Sequence, residues 1–168
     1  MPKLERPALM HYIDASFGDV GSPKWFLIGK DIEEMSVELN SDTETVKNIL
    51  GETSVKDNGY EPSMSADPYY ANPDDSIYAK LKDIAMNRLK GDSCRTKILE
   101  VIVEDTSAAK HSAWTEDVVV KPQSYGGDTS GFAIPFDVTF DGNRKAGTVT
   151  ITSGTPTFTE GTEDSTGV

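Results

Sequence analysis

Nucleophilic chemistry in this chain would have to start from Cys94 or a serine, with His11 or His111 as base. A thiolate needs a helix N-terminus or a nearby cation to form at neutral pH. Cys94 follows the end of a predicted helix, so the dipole does not favour its ionisation. Each histidine stands alone in a turn-rich stretch, and the two are a hundred residues apart, which rules out the clustered ligands of a structural zinc site. Paired acids recur at Glu33-Glu34, Asp74-Asp75, Glu104-Asp105 and Glu116-Asp117. Adjacency places such pairs on opposite faces of a strand, or about 100 degrees apart on a helix, which does not make an acid-base couple. "SYGGDTSG" lacks the Gly-Lys-Ser/Thr ending of a phosphate loop. "DGN" at 141–143 lacks the other ligands of a calcium loop. Both read as turns, and no catalytic, cofactor or metal site is expected.

The elements that would position any site are mainly strands. "KWFLIGK" (24–30), "MSVELN" (35–40), "TKILEVIVED" (96–105), "WTEDVVVKPQSY" (114–125), "GFAIPFDVTFDG" (131–142) and "AGTVTIT" (146–152) carry alternating or continuous apolar residues. "SDT" is expected to turn 35–40 back into "ETVKNIL". The glycine-rich "SYGGDTSG" and "DGNRK" are expected to link antiparallel neighbours. One helix is predicted over 76–90, started by Pro73-Asp74-Asp75-Ser76 and stopped by Gly91. Its apolar stripe of Ile77, Leu81, Ile84, Ala85 and Leu89 should lie on the sheet. Residues 1–23 read as an extended arm, 24–152 as one domain, and 153–168 as a second arm, mobile or ordered only on assembly. From Gly51 to Asp75 no period survives. Tyr60, Met64, Tyr69 and Tyr70 favour a loop that grips a partner, with a β-ribbon over its own domain as the alternative.

The chain of 168 residues has 28 acidic and 16 basic side chains, a net charge of -12. That opposes adhesion to nucleic acid or anionic membrane, though not the passage of DNA. No run approaches the length of a membrane helix, no signal peptide is apparent, and synthesis in a cytosol is expected. The strand at 131–142 raises a question: Phe132, Ile134, Phe136, Val138 and Phe140 share an apolar face, yet Pro135 cannot donate to a ladder, and Asp137, Thr139 and Asp141 line the back. Proline belongs on an edge or at a bulge. A long apolar edge is a template for pairing with another copy. The acids read either as monomer surface or as the wall of an aqueous channel.

From residue 24 to 152 the order "WFLIGKDIEEMSVELNSDTETVKNILGETSV", "YEPSMS" and "DPYY", "DDSIYAKLKDIAMNRLKG", "KILEVIVED" and "DVVVKPQSYGGDTSGFAIPFDVTFDGNRKAGTVTI" resembles the major tail tube proteins of long, non-contractile-tailed bacteriophages. The resemblance implies a β-sandwich or split-barrel subunit with one flanking α-helix. Copies would assemble in the host cytoplasm into hexameric rings, their sheets joined into an inter-subunit β-barrel, and the rings would stack into the virion's tail tube. It implies a tape-measure protein in the lumen, distal tail or baseplate and tail terminator proteins as partners, and DNA passing at ejection. On this reading Glu38, Asp137, Thr139 and Asp141 face the lumen, and Phe132, Pro135 and Phe136 pair between subunits. Ring-to-ring contact falls to Phe17, Tyr60, Met64, Tyr69, Tyr70 and Phe158. Alternatives are another virion β-protein (tail terminator, capsid decoration, contractile-machine tube) or a carbohydrate-binding β-sandwich using Trp25, Trp114 and Tyr69 or Tyr70.

Overall fold

In the computed structural model, residues 3–17 and 23–161 are described. The expectations for residues 1–2, 18–22 and 162–168 of the two arms lie outside the described residues. Eleven strands and one α-helix follow in order: β1 (Leu9–Asp14), β2 (Trp25–Ile28), β3 (Thr43–Lys47), β4 (Thr53–Asp57), β5 (Ser63–Ala66), α1 (Tyr78–Asn87), β6 (Arg95–Ile102), β7 (His111–Pro122), β8 (Gly126–Asp128), β9 (Gly131–Ala133), β10 (Phe136–Thr152) and β11 (Thr155–Glu160). Seven strands form one antiparallel sheet in the order β11-β10-β7-β6-β1-β2, with β5 also on β10. The fold is mainly β with one helix, as the alternation predicts.

Strand alternation gives this sheet two unlike faces. One carries Ile13, Ile98, Val118, Val120, Val138 and Phe140, packed with Ile77 and Leu81 of the helix segment. The other carries Tyr12, Leu99, Val101, Ala113 and Val149. Trp25, from one edge strand, and Phe158, from the opposite edge, both pack on this second cluster. The sheet is therefore curled toward a half-barrel. Gly147 permits the curl: a Cβ there would lie 2.2 Å from the Thr159 carbonyl oxygen and 2.8 Å from Phe158 Cζ.

Several sequence expectations are corrected. Residues 9–14, read as arm, are a strand paired on both sides, to β2 and β6. Its signal is weak because "LMHYID" interrupts its apolar alternation with His11, which is buried only because Glu100 receives it. Residues 155–160, read as arm, pair with the end of β10. "DGNRK" is no turn: β10 runs through it for 17 residues, with register shifts on either side of Gly142. Gly142 (φ 103) and Asn143 (φ 58) absorb the bulge. Segment 35–40 is not a strand and makes only a bridge at Glu38, to Ser63. The partner of "TETVK" is β4, inside the stretch without a period. The helix is shorter than 76–90, has no side-chain cap, and ends on Arg88 in the left-handed conformation rather than on Gly91.

Candidate functional site

Three features stand out: a bare ribbon, a polar groove and a buried charge network. The ribbon is β3 and β4, held by register from Thr43↔Asp57 to Lys47↔Thr53. Its β-branched residues Thr43, Thr45, Val46, Thr53 and Val55 suit a strand. All ten strand residues are nevertheless exposed. The turn at its tip is closely built. Asn48 Oδ1 accepts the backbone N–H groups of Leu50 and Glu52 at 2.9 and 3.0 Å, and Asn48 Nδ2 donates to Glu52 Oε1 at 2.7 Å. That turn presents Ile49 and Leu50 at 102% and 77% exposure. Tyr60, at the ribbon's base, is also exposed. Two strands without a covered face are marginal in water on their own.

The groove brings three of the four expected channel residues together. Glu38, Asp137 and Thr139 line a cavity of about 500 Å³ with Glu34, Ser63 and Ser65. The bridge between Glu38 and Ser63 brings segment 35–40 beside β5, and β5 pairs with β10 at Asp137 and Thr139. Asp141 lies apart, bonded to Arg95. Nearby on the same sheet face, Lys97 donates to Asp117 at 2.5 Å, and Asp137 stands opposite Lys121.

The densest titratable cluster lies on the helix-side face, where four adjacent strands meet. His11 Nε2 donates to Glu100 at 2.9 Å. Arg144 contacts Glu100 at 2.6 Å and Glu116 at 2.9 Å, with its guanidinium 5.8 Å from the Trp114 ring. The Gly142 N–H donates to Glu116. Burial opposes ionisation of Glu100, yet His11 and Arg144 together hold its carboxyl below the usual range. Burial works against the Arg144 charge, and the two glutamates still hold its pKa above the ordinary arginine value. The network joins β1, β6, β7 and β10 by charge rather than by apolar contact. Sequence reasoning missed it, because the signal is register: His11 faces Glu100, which faces Trp114, across three strands. His11 Nδ1 is the one buried side-chain polar atom without a partner among the described residues.

The residues expected between rings or subunits are scattered. Met64 is buried in β5. Tyr69 is buried with its hydroxyl donating to Asp75 Oδ2 at 3.0 Å; burial and then Asp75 push its pKa up. Tyr70 bridges Ala133, and its ring lies over Gly131. Phe17 packs on the main core and Phe158 on the second cluster. Phe132 is exposed in the β8–β9 hairpin. Phe136 is buried and paired on both sides, to Ala66 and Pro122, so this part of β10 offers no free edge. Pro135 is tolerated because it falls in the break between β9 and β10, where its carbonyl accepts the Gln123 N–H. Among the described residues no group of three or more His, Cys, Asp or Glu could hold a metal, and no helix is long and apolar enough to cross a membrane.

No protein-family model and no curated protein matches the chain. Among solved structures it is similar to a chain in the tail of an empty GTA particle, determined by helical refinement in C6 symmetry. That likeness has 12% identity, covers 94% of this chain and 99% of that one, and has a TM-score of 0.52. A weaker likeness, with a TM-score of 0.49 and 10% identity over 87% of this chain and 97% of the other, is to the sheath/tube terminator of an extracellular contractile injection system, PVC, in its extended state. The first likeness shows a shared fold.

Proposed function

We propose that this chain is a non-enzymatic structural subunit of a phage-type tail, and specifically that identical copies join in hexameric rings that stack into a hollow tube. The observation that carries the reading is the bare ribbon: ten exposed strand residues and an apolar tip gain nothing in a lone subunit, and gain a buried face when another copy covers them. A fold shared with a tail chain solved in C6 symmetry supports it. A contact between unlike patches of identical copies closes into a ring or propagates as a helix, and a tube of stacked rings needs both. Within such a tube, the sheet edges β2 and β11 join neighbours, the ribbon reaches the next ring, and the Glu38–Asp137–Thr139 groove faces the passage. The passage would hold a tape-measure protein during assembly and conduct DNA at ejection. Distal tail and terminator proteins would close the two ends.

Negative-stain microscopy of the concentrated protein tests this. Long uniform tubes are expected, and a variant with 44–56 replaced by a short glycine-serine link should keep its far-ultraviolet spectrum but form no tubes. A chain that stays dispersed with and without tail-initiating partners, or normal tubes from the shortened variant, would overturn the proposal. Isolated closed rings from the full chain would redirect it to a terminator.

A further inference from the structure

We infer that the ribbon tip of one copy seats in a specific cavity on a second copy, the apolar hollow between the start of β1 and segment 29–35. This rests on the tube reading and names the receiving surface. The hollow has a volume of about 370 Å³ and is lined chiefly by Leu9, Met10, Leu27, Ile28, Ile32 and Met35. Arg6 spans it, donating to the Leu9 carbonyl at 2.8 Å and the Met35 carbonyl at 3.1 Å. Leu27 and Leu9 are left 48% and 36% exposed beside it.

The occupant is argued from the same molecule. Ile49 is the most exposed large apolar side chain in the described chain, and Leu50 follows it. Both stand on a turn already fixed by Asn48 and Glu52, so little order is lost when they are buried. A small aliphatic knob and a small aliphatic hole on one chain form a heterologous contact, which propagates from copy to copy. Charge does not oppose the fit: Lys47 and Glu52 offset each other at the tip, and Arg6 and Glu33 do so at the hollow. Met86 on α1 is exposed as well, but charged Lys82 and Lys90 stand near it on the helix, and it serves as the control position.

Two full-length variants, Leu50→Cys and Leu27→Cys, are mixed, assembled and oxidised; Cys94 is buried and stays silent. The expected product is a disulfide-linked pair of the two different chains, absent when Met86→Cys replaces Leu27→Cys. In the unsubstituted chain, amide exchange at 32–35, on the wall of this hollow and off the β2 edge, and at 48–52 should slow at least tenfold between dispersed and assembled protein. Tubes that link through Met86→Cys, or that gain no protection at 32–35, overturn the inference and leave the tube reading standing. A chain that never assembles overturns both.

Discussion

Replacing Arg144 by methionine probes the buried network directly. The substitution keeps an aliphatic stem over Trp114 and removes only the guanidinium. Glu100 and Glu116 then lose their shared cation while their side chains remain 11% and 8% exposed. Removing one partner of a fully buried pair costs roughly 3–5 kcal/mol. Two features reduce that here: Arg144 is itself 43% exposed, so water reaches the vacated space, and the Gly142 N–H and His11 still donate to the two carboxylates. A loss of about 2 kcal/mol at pH 7 follows, or a fall in Tm of about 4–8 °C for a domain of this size. The sign with pH is specific. Arg144 helps hold the Glu100 carboxyl below its usual range, so without it Glu100 titrates higher in the folded state, protonation relieves the excess charge, and the gap between variant and parent must narrow from pH 7 toward pH 4. Urea denaturation of both proteins at several pH values measures it. A loss below about 0.5 kcal/mol, or one that does not change with pH, would refute the claim that the network holds the four strands together.

Gly147→Ala should strip β11 from β10 or force Phe158 off the second cluster, at a cost of about 1–3 kcal/mol, seen as lost amide protection over 155–160 with the core strands still protected. Acid titration should expose Glu100: its folded pKa is lowered, so its contribution is complete above the ordinary value of 4.5 and is lost as pH falls through the depressed one. Glu100→Gln should flatten that part of the stability curve, as followed by near-ultraviolet circular dichroism.

The fold class was legible because β6, β7 and β10 carry long apolar alternations, and the helix because its stripe repeats at the right spacing. Three elements were not legible, for separate physical reasons. β1 hides behind a buried histidine whose partner lies 89 residues away. β10 is continuous through a Gly-Asn bulge because β7 runs beside both halves, and a neighbouring strand leaves no local mark. The ribbon's strands have no apolar face to give them away, since nothing in the same chain covers them. Glu38 comes beside Asp137 and Thr139 because β5, a strand with only Met64 as a large apolar residue, lies between them. The expectation for Pro135 failed because a break in a strand admits proline as readily as an edge does.

Charge placement gives the sheet and its appendages different tasks. Residues 31–75 contain twelve carboxylates and two lysines, so they account for ten of the chain's twelve net negative charges. On the sheet Asp141 is paired with Arg95 and Asp117 with Lys97, whereas Asp137 stands in register with Lys121, whose ammonium donates to the Leu89 carbonyl. β10 therefore does not make this protein acidic; the segment joining β2 to α1 does, through Asp31, Glu33, Glu34 and Glu38 on one side of the ribbon and Glu61 and Asp67 on the other. In a tube of identical copies, the bore would repel phosphate where this segment and Asp137 reach it, because the paired charges on the sheet cancel within a few ångströms and their field is screened beyond about 10 Å at ordinary salt. On the tube reading, the barrier to DNA adhesion would rest on Glu34, Glu38 and Asp137 around the groove, and the sheet supplies the frame that holds them there.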